Sequence, residues 1–164
     1  MEDSLTIIFT FIIAVLLMFI FPLVDTWERQ DDMSYMLAYS KVVDFVDSAR
    51  NTGYFTQNML DQLENDLTAT GNIFEIQLEC RRLIYGKGGQ IGYLYSFNEQ
   101  IEKELSESSD QRFVFDKGDY FYVSVKNTNK TQSTLVKEFM YSSSLSSFKI
   151  GVPYGGMIRN SVTL

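Results

Sequence analysis

A run of 20 residues without a charged side chain, residues 5–24, constrains this chain more than any other feature of its sequence. The run reads LTIIFTFIIAVLLMFIFPLV. The hydrocarbon core of a bilayer is about 30 Å thick and needs about 20 helical residues to cross it. The sequence therefore predicts one N-terminal helix that is long enough and apolar enough to span a membrane.

Three other roles of the apolar run fit the sequence to different degrees. A cleaved signal peptide has a basic start, a shorter apolar stretch and small residues at its exit, whereas this chain starts with Glu2 and Asp3 and has Pro22 near the exit. A buried core helix is seldom apolar on all its faces. Helix packing in the core of a protein filament uses the same composition, and this alternative stays open.

Residues at the two ends of the apolar run have candidate roles. Glu2 and Asp3 can complement the helix dipole and cap free amides, or one of them can neutralise the N-terminal amine of a neighbouring subunit. Pro22 lacks a backbone donor, so we expect the helix to end or kink there, or to have a soft spot there within a longer helix. Trp27 fits an anchor at the membrane interface. Arg29 is the only basic residue near the run, so the sequence encodes orientation poorly.

A helical stem is predicted after an acidic stretch, residues 25–32. Apolar residues recur there at spacings of three and four, which indicates one apolar helix face. We expect this face to belong to the domain core, with a partner surface as the alternative. The residues are Met33, Met36, Leu37, Val42, Val43, Phe45, Val46 and Ala49. Residues 51–53 are predicted to end the stem, and Thr56 to cap a second helix that closes at residues 69–71.

From residue 73 the pattern changes to that of strands. Strands are predicted at 73–84 and 91–97, joined by a turn at 86–89, and a short helix at 99–106, capped by Asn98 or Ser96. A hairpin is predicted from 113–115 and 120–126 around a turn at 116–119. After a polar loop at 127–133 we expect a helix at 134–141 and a last strand at 148–152, before Pro153.

The predicted fold class is α+β: a long N-terminal apolar helix that continues as an amphipathic stem, followed by a small antiparallel sheet domain. It has three parts. Residues 1–24 form the apolar helix, residues 25–71 the stem and second helix, and residues 72–164 an antiparallel, β-rich domain of about four or five strands. Tyr is concentrated in the second half of the chain, which is typical of strands.

The composition excludes several kinds of site. The chain has no histidine, so Ser/His/Asp, Cys/His and His-metal sites cannot form, and we expect neither an enzyme nor a cofactor. Cys80 is the only cysteine, and its place in a predicted strand favours a buried structural thiol over a reactive one. The net charge of −7 argues against nucleic acid as a partner.

The order of these parts resembles that of a type IV pilin or pseudopilin: an apolar N-terminal helix with an acidic start, a proline, an amphipathic stem and a small antiparallel sheet. Several stretches are similar to membrane-anchored proteins of Gram-positive Tad/Flp-type pilus clusters. They are residues 42–53 (VVDFVDSARNTG), 59–63 (MLDQL), 67–72 (LTATGN), 117–125 (KGDYFYVSV) and 154–160 (YGGMIRN). Pilins carry a glutamate just inside the apolar helix, after a leader. Either a leader precedes Met1 and Glu2 or Asp3 takes that role, or the resemblance is one of architecture alone.

The resemblance implies a major or minor structural subunit that waits in the bacterial membrane by its apolar helix. An ATPase-driven assembly platform would then extract it and stack its helix into an extracellular filament. Its partners would be membrane lipid, copies of itself and other pilin-like subunits. The alternative is a single-span, extracytoplasmic binding or accessory protein that never polymerises.

Overall fold

The computed structural model describes residues 2–85, 91–144 and 149–160, with the side chains of Glu2, Asp3 and Tyr85 outside that description. Its first element, α1, is one helix of 51 residues, Glu2–Thr52. The apolar run and the stem are therefore a single rod, about 75 Å long at 1.5 Å per residue. The expectation that the helix ends at Pro22 is wrong, because helical structure continues through it. The predicted kink there stays a prediction.

Only the C-terminal part of the predicted stem face belongs to the domain core. Val42, Phe45, Val46 and Ala49 are buried, and Val43 is half-buried. The expectation that Met33, Met36 and Leu37 pack into the core is wrong, since all three are exposed. Val42 lies five positions after Leu37, and at 3.6 residues per turn this step carries the apolar pattern about 140° around the helix. Toward the N-terminus, the buried face continues instead through three small or polar residues, Ala38, Ser34 and Asp31.

The second helix is confirmed. After the three-residue strand β1, Tyr54–Thr56, helix α2 runs over Gln57–Thr68. Thr56 is its N-cap as predicted, since the Thr56 hydroxyl accepts a hydrogen bond of 3.2 Å from the amide of Met59. Leu60, Leu63 and Leu67 are its buried residues.

The main sheet has four antiparallel strands in the order β3-β2-β5-β6. Their bounds are Phe74–Tyr85 for β2, Ile91–Phe97 for β3, Tyr120–Asn127 for β5 and Gly151–Met157 for β6. The strands β2 and β3 are confirmed, whereas the turn predicted at 86–89 lies outside the described residues. The predicted last strand is placed wrongly: β6 begins at Gly151 and continues through Pro153, which an edge strand tolerates. Phe148 lies outside the described residues.

The predicted hairpin between residues 113–115 and 120–126 is wrong. The strand β4, Arg112–Val114, pairs with β1 in a separate two-stranded ribbon, while β5 lies between β2 and β6. The turn before β5 does form, with Gly118 at a φ of 99° and the amide of Asp119 3.1 Å from the carbonyl of Asp116. The amide of Phe115, however, bonds the carbonyl of Gly53 at 2.9 Å, which directs β4 toward the end of α1.

Two further helices complete the described elements, α3 beside the strands β2, β3 and β4 and α4 beside α1. Helix α3, Asn98–Glu107, buries Ile101 and Leu105 as predicted. Its N-cap is Phe97, whose amide donates to the Gln100 side chain at 2.9 Å, so the caps predicted at Asn98 or Ser96 are wrong. Asn98 instead bonds the backbone of β2, at Leu78 (2.6 Å) and Ile76 (2.8 Å). Helix α4, Gln132–Tyr141, starts two residues earlier than predicted and has Thr131 as its N-cap.

The core lies between the C-terminal part of α1 and the inner face of the sheet. Its centre is a group of packed aromatic rings with centroids 4.9–6.0 Å apart, which joins the stem, the ribbon and the sheet. These rings belong to Phe45, Phe55, Phe113, Phe115 and Phe121. The packing fixes the sheet against the second half of α1, so the first half projects beyond the domain.

Candidate membrane and assembly interface

The projecting half of α1 has an apolar surface without cover in the described part of the chain. The 18-residue window that marks a candidate span has a mean hydropathy of 3.0 and is 0% buried. Its large side chains from Leu5 to Leu23 are exposed, except Ile20, which is half-buried. The hydroxyl of Thr10, one of two polar side chains in the run, donates to the carbonyl of Thr6 at 2.8 Å. The chain thus has one helix long and apolar enough to cross a membrane.

Polar residues begin directly after the apolar run. Asp25 and Arg29, one turn apart, form an exposed ion pair of 3.0 Å. Trp27 is half-buried and lies on the side of α1 that faces helix α4. The hydroxyl of Thr26 donates to the carbonyl of Pro22 at 2.8 Å. The change from apolar to charged surface is therefore sharp and falls between Val24 and Asp25.

Helix α4 lies along this boundary, antiparallel to α1. Near its start, Ser133 donates to Asp31, and one turn later Lys137 pairs with Glu28. Toward its end, Val136, Phe139 and Met140 face α1 across an apolar cleft of about 270 Å³. The α1 side of that cleft is formed by Leu17, Ile20, Leu23 and Trp27. The helix thus starts beside the charged part of α1 and ends beside the apolar run.

A cluster of four polar side chains, which we call the latch, fixes the start of α4. It consists of Asp31, Thr131, Ser133 and Lys149. One oxygen of Asp31, Oδ2, accepts from the Thr131 hydroxyl at 2.9 Å, from the Ser133 hydroxyl, and from Lys149 Nζ at 2.6 Å. Asp31 and the two hydroxyl residues are buried. A carboxylate at the N-terminus of α4 also complements the dipole of that helix.

The latch has the residue types of a serine–lysine catalytic pair, since Lys149 Nζ lies 2.6 Å from Ser133 Oγ. A lysine base must be neutral to accept the serine proton, and here it is paired with a carboxylate. Ser133 has no exposed surface, so a substrate cannot reach its oxygen. The cluster is suited to hold α4 in place, and its chemistry does not suit nucleophilic catalysis.

At the other end of the stem, Arg50 ties α1 to the edge strand β6. Its Nη1 lies 2.6 Å from Asp47 Oδ1, and its Nε donates to the carbonyl of Met157 at 3.0 Å. A Cβ atom at Gly156 would lie 2.5 Å from Cζ of Arg50, so the absence of a side chain at Gly156 admits the guanidinium. This tie and the latch hold the stem at two points about 19 residues apart, or about 28 Å.

The outer face of the sheet carries an open groove of about 490 Å³, which the sequence did not predict. Its lining combines the rings of Phe97 and Tyr122 with the carboxylates of Glu75 and Glu79 and the amide of Gln77. Beside the groove, Arg81 lies over two rings, 5.6 Å from the centroid of Tyr95 and 5.5 Å from that of Tyr120. Alternation of aromatic residues along β3 and β5 was the available signal, because every second residue of a strand shares one face.

Cys80 is confirmed as a buried thiol, on the inner face of the sheet. Burial, followed by the charge of Asp119, raises the pKa of Cys80 to about 12, and Arg82 opposes this shift only in part. Burial likewise raises the pKa of Asp119. A thiol that stays protonated is neither a nucleophile nor a metal ligand at neutral pH, so Cys80 fills space in the core.

The other sequence-predicted residues fall in two groups. Glu2 and Asp3 are the first residues of α1, and their predicted roles stay predictions. Met33, Met36 and Leu37 form an exposed apolar stripe, the outer stem stripe, on the side of α1 that faces away from the sheet.

In comparisons with protein-family models, with curated proteins and with solved structures, nothing matched this chain.

Proposed function

We propose that this chain is a membrane-anchored structural subunit, pilin-like in its organisation, that assembles by helix packing into an extracellular filament of the type IV or Tad kind or serves the machinery that builds one. Its first half would lie in the bacterial cell membrane before assembly, with the sheet domain on the extracytoplasmic side. Its partners would be membrane lipid, copies of itself or other pilin-like subunits, and an assembly platform with its ATPase. No nucleic acid, cofactor or catalytic activity is part of this proposal.

The outer stem stripe is the observation that carries the proposal. Met33 is 66% exposed and Met36 is 68% exposed, and both lie more than a turn beyond the apolar run. A bilayer that covers residues 5–24 does not reach them, so an isolated anchored monomer would leave them in water. Burial against the helix of another subunit would remove this apolar area from water at about 25 cal/mol per Å².

Exchange between the two environments of the apolar run requires little net free energy. In the bilayer the run is surrounded by lipid tails, and in a filament core it would be surrounded by other helices of the same composition. Neither state exposes the run to water, so hydrophobic burial is similar in both. The driving force for assembly must then come from packing, from the stripe and from the assembly machinery.

Electron microscopy of surface material from cells that make this chain tests the proposal. We expect filaments that contain the chain as a repeating unit, and we expect Met36→Glu to abolish them while the chain still inserts in the membrane. Met157→Glu is the matched control, because Met157 is similarly exposed but lies on the outer face of the sheet. Filaments that persist in Met36→Glu, or a chain that stays monomeric throughout, would contradict the proposal.

The alternative function is a single-span, extracytoplasmic binding or accessory protein that does not polymerise. The groove on the outer face of the sheet favours it, because rings beside carboxylates and amides are the usual composition of a ligand site. A ligand that protects the full-length protein from thermal unfolding, and loses this effect in Tyr122→Ala, would support this alternative. A chain that stays monomeric in the same cells would also support this alternative over a filament subunit.

A further inference from the structure

The exposed surface of α4 is unusually apolar for a helix on a protein surface. Phe139 is 85% exposed and Tyr141 is 68% exposed, and Leu135 is exposed on the same short helix. The two charged residues of α4 are both in ion pairs, Lys137 with Glu28 and Glu138 with Lys130 at 2.7 Å. The exposed rings are unfavourable in water and favourable next to hydrocarbon, and the pairing of both charges lowers the cost of bringing them close to lipid.

The level of α4 along α1 follows from its contacts. Its start lies beside Asp31, seven residues or about 10 Å above the last residue of the apolar run. At 1.5 Å per residue, α4 is about 12 Å long from Ser133 to Tyr141, so its backbone ends close to the level where the apolar run stops. The side chains of Phe139 and Met140, in its last turn, line the apolar cleft together with Leu17, Ile20 and Leu23 of the run.

We propose that the last turn of α4, residues 139–141, inserts its side chains into the lipid leaflet on the domain side of the membrane, beside α1. This rests on the proposed membrane span of residues 5–24. If the bilayer stopped below the cleft that these side chains share with α1, only residues 5–16 would remain to cross it, and these 12 residues reach about 18 Å. That length is too short for a core of about 30 Å, so a spanning α1 carries the end of α4 into the lipid.

A shallow insertion at this level agrees with the physics of interfacial helices. Such helices bury their apolar face about 5–10 Å into the boundary between headgroups and acyl chains. The apolar surface of α4 is continuous with that of α1 through the cleft formed by Leu17, Leu23 and Met140. The latch fixes the start of α4 above the membrane, and the serines at positions 142–144 follow its end with polar side chains. The anchor would consist of one complete span and one partial insertion from the same chain.

Nitroxide labels on the full-length protein in vesicles of phosphatidylcholine and phosphatidylglycerol test this inference. In a Cys80→Ala background, one label is placed by Phe139→Cys, and two reference labels by Ile12→Cys in the middle of the run and Met36→Cys on the stem. Met36 lies 12 residues beyond Val24, or about 18 Å above the end of the run. Circular dichroism confirms that each labelled chain is folded.

The measured quantity is the ratio of collision rates with oxygen, which partitions into lipid, and with a water-soluble nickel chelate. We expect the ratio at position 139 to be close to that at position 12 and several-fold above that at position 36. A ratio at 139 equal to that at 36, with position 12 in lipid, would overturn the insertion of α4 and leave the span intact. Water-like ratios at both 12 and 139 would overturn the span as well.

A second copy of the chain is the competing occupant of this face. If it covers α4, the label at position 139 is shielded from oxygen and from the chelate alike, and neighbouring labels broaden each other's spectra. This broadening would disappear on dilution with unlabelled protein. That result would overturn the lipid assignment, whereas a high oxygen ratio without broadening supports it.

Discussion

Lys149 Nζ lies 2.6 Å from Oδ2 of Asp31, and this ion pair joins two residues that are 118 positions apart in the chain. It connects the segment before β6 with the middle of α1, at the point where the helix α4 begins. The latch therefore determines how α4 is placed relative to the boundary between the apolar run and the stem.

Loss of the lysine in the latch should destabilise the domain. In Lys149→Met, the buried carboxylate of Asp31 keeps its two hydroxyl donors and loses its cation. We expect the free energy of unfolding, measured by denaturant titration of the full chain in detergent micelles, to fall by about 2 kcal/mol. Lys103→Met is the control, because the pair of Lys103 and Glu107 is exposed and 3.8 Å long. Equal losses in both variants would contradict a specific role for the latch.

Two adjacent glycines of β6 should differ in their tolerance of a methyl group. A Cβ atom at Gly155 would lie 2.7 Å from the carbonyl oxygen of Phe121, and backbone cannot move away cheaply. We expect Gly155→Ala to lower the free energy of unfolding by about 2–3 kcal/mol. Gly156→Ala displaces only the end of Arg50, with loss of its bond to Met157, and should cost about 1 kcal/mol.

A double-mutant cycle isolates the cause at Gly156. When Arg50→Ala has already removed the guanidinium, the added methyl group has nothing to displace, so Gly156→Ala should have no further cost. Thermal and denaturant unfolding of the two single variants and the double variant provide the measurement. Additive losses in the double variant would mean that Gly156 is required for a reason other than Arg50.

Cys80 should resist alkylation in the folded protein. Because its pKa is raised to about 12, its thiolate fraction at pH 8 is about one in ten thousand. We expect iodoacetamide to modify Cys80 only as the protein unfolds, by mass spectrometry, whereas a second thiol in Ser106→Cys, at an exposed position, should react at once. Rapid reaction of Cys80 in the folded chain would contradict its burial.

The same shift predicts the sign of a pH effect. Above its ordinary pKa of 9.0 the unfolded thiol loses its proton, while the folded thiol keeps it up to about pH 12. The unfolded state then binds fewer protons, so the contribution of Cys80 to stability is complete below pH 9 and is lost as the pH rises toward 12. Cys80→Ala should show a shallower loss of unfolding free energy over this range than the unmodified chain.

Removal of both acidic residues at the start of α1 tests their predicted role in assembly. We expect Glu2→Ala combined with Asp3→Ala to reduce the yield of filaments and to leave membrane insertion intact, since the apolar run is unchanged. Filament yield by electron microscopy and carbonate extraction of membranes are the two measurements. An unchanged yield would contradict charge neutralisation by these residues.

Local patterns in the sequence were sufficient for the elements that depend on near neighbours. The long helix, the cap at Thr56, the strands β2 and β3, and the burial of Cys80 all follow from residues within one or two turns. Pairing partners do not follow from such patterns. The turn at Gly118 is real, yet Phe115 bonds Gly53 far back in the chain, because the aromatic core gains more from the ribbon of β1 and β4 than a hairpin would give.

The candidate site was predicted in part. The apolar run and Trp27 could be recognised from composition, whereas the division of the stem into an inner and an outer apolar face could not. The two faces have the same spacing of apolar residues and differ only in their direction around the helix axis. Which of them is buried depends on where the sheet packs. The latch joins residues about 100 positions apart, and the groove needs three strands in register, so neither leaves a local sequence signal.

The sheet order has a consequence for how the chain is made. Synthesis runs from the N-terminus, so α1 is complete and can enter the membrane before any strand exists. Among the described elements, β6 makes the most extensive contacts with α1, and it is also the last of them to be produced. The stem face that packs against the sheet therefore stays uncovered until the end of synthesis, apart from the part that α2 covers.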